Sequence, residues 1–141
     1  MAAALLLSLP VEAASAPKRL KVLPHSILGL WAYEPADCDV PDSDGHLTIQ
    51  ARSVLFFSSG YDIERVVQRS DGSWRASGLR SDEGEAGRTR GSLSLKLVAR
   101  DRLHVVTLSP EGHIYHRCKY NRGKNHRGKD HRGKTPTPER K

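Results

Sequence analysis

The chain has 141 residues, two cysteines and a formal charge of +7, the size of one domain with one modest core. Residues 1–118 hold 14 Lys+Arg and 14 Asp+Glu, whereas residues 119–141 hold nine Lys+Arg against Asp130 and Glu139. This distribution argues against a basic nucleic-acid-binding face on the fold and describes a neutral body with a cationic appendage.

In chain order, residues 1–16 are apolar and alanine-rich, with small residues at Val11-Glu12-Ala13 and Ala14-Ser15-Ala16. They read as a secretory signal peptide without a basic n-region, cleaved after Ala13 rather than before Pro17. The alternative is an N-terminus with no targeting role. The run is too short to span a bilayer, and no other stretch is apolar enough to form an integral membrane segment. Residues 17–25 read as a basic linker, residues 26–120 as the folded domain, and residues 121–141 as a disordered tail.

From Gly29 onward, short apolar runs alternate with turn signals, the pattern of an all-β sandwich or barrel. Eight strands are expected, near 29–33, 46–50, 53–57, 61–69, 73–80, 89–98, 102–108 and 112–118, after a single helical turn within 24–28. A turn at Ala51-Arg52 pairs Ile49 with Val54 and Leu47 with Phe56. Asp71-Gly72, taken as a two-residue hairpin turn, pairs Arg69 with Trp74 and Val67 with Ala76. Arg100-Asp101 sets Leu93, Leu95 and Leu97 beside Leu108, Val106 and His104, and the turn at 109–112 brings Tyr115 onto that face. Every connection suits antiparallel neighbours, so the fold class is all-β, an eight-stranded antiparallel up-and-down meander barrel. An open or sandwiched sheet of the same strands is the alternative.

Cys38 and Cys118 lie 80 positions apart with no C-x-x-C motif. They fit one disulfide in an oxidising compartment, against the alternative of two buried thiols in the cytosol. Barrel closure makes the first and last strands neighbours, so the two cysteines are expected to meet.

The Gly29-x-Trp31 start resembles the opening of lipocalin-like barrels and of small secreted bacterial barrels of the protease-inhibitor type. That resemblance implies that Trp31 closes the barrel floor, that Gly29 permits close backbone approach, and that Arg117 packs on the indole as a cation–π contact. Trp74 joins the same core.

The apolar faces give either a filled core or a ligand pocket. Arg65 and Arg80 share a face with Trp74 in the expected register. They sit at the barrel mouths, are turned outward by a bulge at Val66-Val67, or meet an anionic ligand together with Tyr61 and Tyr115. The acidic loop holding Asp37, Asp39, Asp42 and Asp44 lacks the EF-hand ligands at both ends and reads as a solvated turn. Asp82-Glu83-Gly84-Glu85 reads as an exposed connection rather than an acid/base pair. The histidines have no ligand spacing, and neither a phosphate loop nor a dinucleotide fingerprint occurs, so no metal, cofactor or specific nucleic-acid site is expected.

The tail repeats Arg-Gly-Lys three times, at Arg122 and Lys124, Arg127 and Lys129, and Arg132 and Lys134. It has no aromatic after Tyr120 for base stacking and suits an anionic surface or polymer. The function expected is that of a secreted or periplasmic, non-enzymatic module that binds a protein partner, for instance inhibiting a hydrolase. The alternatives are a lipocalin-like carrier of a small ligand, or an envelope-associated structural protein tethered by its tail.

Overall fold

A computed structural model describes residues 16–119. The signal-peptide reading, apart from Ala16, and the whole of the tail lie outside the described residues. Nine strands form one sheet: β1 (Lys18–Leu20), β2 (Gly29–Ala32), β3 (His46–Gln50), β4 (Ser53–Phe56), β5 (Ser59–Gln68), β6 (Trp74–Asp82), β7 (Thr89–Ala99), β8 (Arg102–Val106) and β9 (His113–Arg117). Strands β2 to β9 pair antiparallel in sequence order, and β2 pairs with β9, which closes an eight-stranded meander barrel. The expected helical turn is a 3₁₀ turn at His25–Ile27.

Closure rests on a short seam. Only Trp31↔Arg117 and Ala32↔His116 pair β2 with β9. Further contacts reinforce this point: the Cys118 amide donates to Leu30 O, and Cys38 and Cys118 form a disulfide with Cα atoms 5.3 Å apart. A 3₁₀ turn at Pro35–Asp39 returns the β2–β3 loop along β2, which carries Cys38 to its partner.

The residues read as a linker belong to the fold. Strand β1 pairs with Val66–Gln68, below the part of β5 that β4 covers, so it supplies the neighbour that the shorter β4 cannot. Leu23 follows it into the core and donates its amide to Ala51 O. Together with Ile27 it closes the lower end beneath Trp31, all three fully buried.

The Ala51-Arg52 hairpin has the expected register. Two other registers differ, one through the length of its turn and one through a bulge. The β5–β6 turn holds three residues, Ser70-Asp71-Gly72, between Arg69 and Ser73, with Gly72 at φ 80°. Trp74 therefore pairs with Gln68 and Ala76 with Val66, and an irregularity at Glu64 restores the inward face at Ile63 and Tyr61. Val66, not Val67, enters the core, and Arg65 is turned outward. An irregularity at Val98 likewise shifts β7 against β8, pairing Leu97 with Leu103 and Leu95 with Val105. Leu103 and Val105 are the inward residues in place of His104, Val106 and Leu108, and Leu108 is 77 % exposed. Gly78 sits opposite the β5 bulge, where an added Cβ would overlap Asp62 O, so only glycine fits.

The interior is lined by buried apolar side chains. Trp31, Leu47, Ile49, Val54, Leu95 and Leu103 are at most 1 % exposed. At the upper mouth, Phe56 of β4 and Tyr115 of β9 meet across the lumen with ring centroids 6.4 Å apart. Tyr61 and Tyr33 extend that aromatic row at 6.1 Å on either side. This packing is that of a short barrel whose core is made by its own side chains.

Candidate functional site

Because the strands alternate direction, successive loops fall at opposite ends of the barrel. The loops at the upper end are 33–45, 57–58, 83–88 and 107–112, and they contain eight carboxylates and one cationic side chain, Arg88. The lower end is built from 16–28, 51–52, 69–73, 100–101 and 118–119. It contains seven Lys/Arg, with Asp71 and Asp101 as its carboxylates. The body is close to neutral in sum but polarised along its axis. Residues 121–141, with their excess of Lys and Arg, follow directly from the cationic end. Composition hid this, and only the meander topology sorts the loops by sign.

The site residues expected from sequence fall into three groups. The first is the floor. Trp31 Nε1 donates to Ile27 O at 2.9 Å, and the Arg117 guanidinium lies 4.1 Å from the indole centroid. Arg117 also donates to Leu28 O at 3.2 Å and to Ser26 O, so one side chain joins β9, the indole and the 3₁₀ turn. Burial, and then the neighbouring Arg100 charge, hold its pKa below the ordinary arginine value. Trp74 is in the core. Gly29 is exposed with φ 121° and nothing within 4 Å of an added Cβ, so it serves backbone conformation rather than close approach.

The second group is the upper mouth. The Arg80 guanidinium lies 5.9 Å from the Tyr61 ring centroid and pairs with Asp82 at 2.5 Å. Its charge is therefore already met by a carboxylate, which weakens it as a ligand anchor. Burial raises the Tyr61 phenol, with Arg80 opposing and Asp82 adding. Burial, and then Tyr33, raise that of Tyr115. Tyr115 joins Tyr61 only through Phe56. Arg65 stands apart on the outer wall. The expected quartet does not converge.

The third group, the tail cations Arg122, Lys124, Arg127, Lys129, Arg132 and Lys134, lies outside the described residues.

The structure adds a feature that the sequence did not signal. A cleft of about 910 Å³ opens at the lower end beside Arg117, between the 3₁₀ turn (His25, Ser26, Leu28) and the β7–β8 turn (Leu97, Arg100, Asp101), with Lys119 at its side. The 25–28 and 97–101 segments that line it lie about 70 positions apart in the chain, so no local motif marks it. Leu28 and Leu97 also pack on the core, which fixes the apolar part of the wall.

Several of the carboxylates have partners. Asp37 accepts from the Glu34 amide at 3.4 Å. Arg88 pairs with Asp62 at 2.5 Å, and Arg90 pairs with Glu64 on the exposed wall. Among the described residues, no group of three or more His, Cys, Asp or Glu side chains is placed to hold a metal ion. No described helix is long and apolar enough to cross a membrane. No family model matches the chain, and no curated protein or solved structure matches it.

Proposed function

We propose that this chain is a secreted or periplasmic, non-catalytic binding barrel that works through its two ends rather than its lumen. The cationic lower end, continued by the basic tail, attaches the barrel to an anionic, phosphate-rich envelope surface. The opposite acidic and aromatic rim is then held outward for a protein partner. The observation carrying this is the sorting of charge by barrel end, with the basic tail leaving from the positive one. The Cys38–Cys118 disulfide supports an oxidising compartment. The close burial of the inward side chains weighs against the carrier, because a ligand in the lumen would have to displace them. The half-buried Arg80–Asp82 pair under the aromatic row gives the rim a fixed surface suited to protein contact.

Co-sedimentation with vesicles tests the attachment. The full chain is expected to bind vesicles rich in phosphatidylglycerol at low salt, to lose most of that binding at about 0.5 M salt as screening shortens to a few ångströms, and not to bind phosphatidylcholine. A chain lacking residues 121–141 should bind much more weakly. Equal binding to both lipids, or binding indifferent to salt, would contradict electrostatic attachment.

A further inference from the structure

The lower end carries more than diffuse charge. The cleft there combines an apolar wall with three cationic side chains. Among the described residues, no carboxylate comes within ion-pair distance of Arg100, Arg117 or Lys119. Among the residues lining the cleft, Asp101 alone bears a carboxylate, against the three cations Arg100, Arg117 and Lys119, and its backbone oxygen accepts from the Arg117 amide at 2.8 Å. Arg117 is pre-positioned by the Trp31 indole and two carbonyls, so a ligand would not have to order it. Leu28 and Leu97 offer a wall for a short aliphatic chain, and a volume of about 910 Å³ suits a small molecule. Burial, and after it the neighbouring Arg100 charge, depress the Arg117 pKa, and a bound anion would offset both.

We propose that this cleft is a binding site for an amphiphilic anion, an anionic head held by Arg100, Arg117 and Lys119 with its aliphatic chain laid on Leu28 and Leu97. An inorganic anion lacks the chain, and a neutral amphiphile leaves the guanidiniums unpaired, so neither satisfies the whole site. The proposal rests on the lower end being the anion-facing one and names the kind of molecule it takes there.

The test uses the full chain and soluble monomers, read by ¹H–¹⁵N NMR titration. Octyl phosphate and dihexanoyl phosphatidic acid, each below its micellar range, present the same head as a free amphiphile and as a lipid. Saturable binding of either, with shifts centred on residues 25–28, 97–101 and 117–119, supports the site, and the tighter of the two names the source. Arg100→Gln and Lys119→Gln should each weaken it by about tenfold, the scale of one charge-assisted hydrogen bond. Both side chains sit at the surface, so an unchanged melting profile can be checked in parallel. Inorganic phosphate or octanol binding as tightly as octyl phosphate would overturn the proposal. So would shifts confined to the tail or the upper rim, or an absence of saturation. If octyl phosphate binds while anionic vesicles do not, only the surface reading fails. If vesicles bind while no soluble amphiphile does, only the cleft fails.

Discussion

Arg117 carries several structural roles at once. It covers the indole of Trp31, satisfies the carbonyls of Ser26 and Leu28, and faces its cross-strand partner at the barrel seam. Arg117→Ala is expected to cost about 2 kcal/mol or more, from a partly desolvated cation–π contact and two carbonyls left without a donor. Urea unfolding measures it, and an unchanged midpoint would contradict the role. The tyrosines at the other end set a pH limit. Tyr61 and Tyr115 have folded pKa values above the ordinary 10.0, so above about pH 10 the unfolded chain releases protons that the fold retains. The contribution of these tyrosines to stability should be constant below that pH, be lost as pH rises through it, and be lost less steeply in Tyr115→Phe. The Trp31–Arg117 contact could be expected only through the resemblance that Gly29-x-Trp31 carries, because no local motif joins two positions 86 apart. The function of Gly29 was misread and Gly78 went unnoticed, because a glycine's reason depends on φ or on the neighbouring strand, and neither is visible in composition.

The strands were legible for a similar reason: periodicity and turn residues reveal where the chain extends and reverses. Register was less so. The bulges at Glu64 and Val98 have no compositional mark, yet each exchanges inward and outward residues along the strand beyond it. Strand β1 was missed because Lys18-Arg19-Leu20 has neither length nor alternation, and it is a strand only because β5 outreaches β4. The seam between β2 and β9 is the element most dependent on covalent help, with two paired positions and one disulfide spanning 80 residues. Replacing Cys38 and Cys118 together by serine is expected to cost about 4–5 kcal/mol on the chain-entropy account. The midpoint of the double variant should then not respond to reductant, whereas that of the natural chain should fall toward it. A natural chain equally stable in reductant would show that the seam does not need the bridge.

At the scale of the molecule, a meander sends alternate loops to alternate ends, and here the loops summed over each end carry opposite net charge. The lower end gathers Lys18, Arg19, Lys21, Arg52 and Lys119, and the upper end gathers carboxylates of the 33–45 and 83–88 loops. Linear net charge, near zero over the body, could not express this, and neither could it show a cleft assembled from both termini of the domain and the β7–β8 turn. A barrel polarised in this way should orient as well as adhere when it meets a negative surface. Hydrogen exchange of the full chain bound to phosphatidylglycerol vesicles, compared with the free protein, tests that orientation most directly. Added protection at backbone amides of 16–28, 51–52, 100–101 and 117–119, with 83–88 and 107–112 unchanged, is the expected result, and protection at the upper loops or none on the barrel would contradict it.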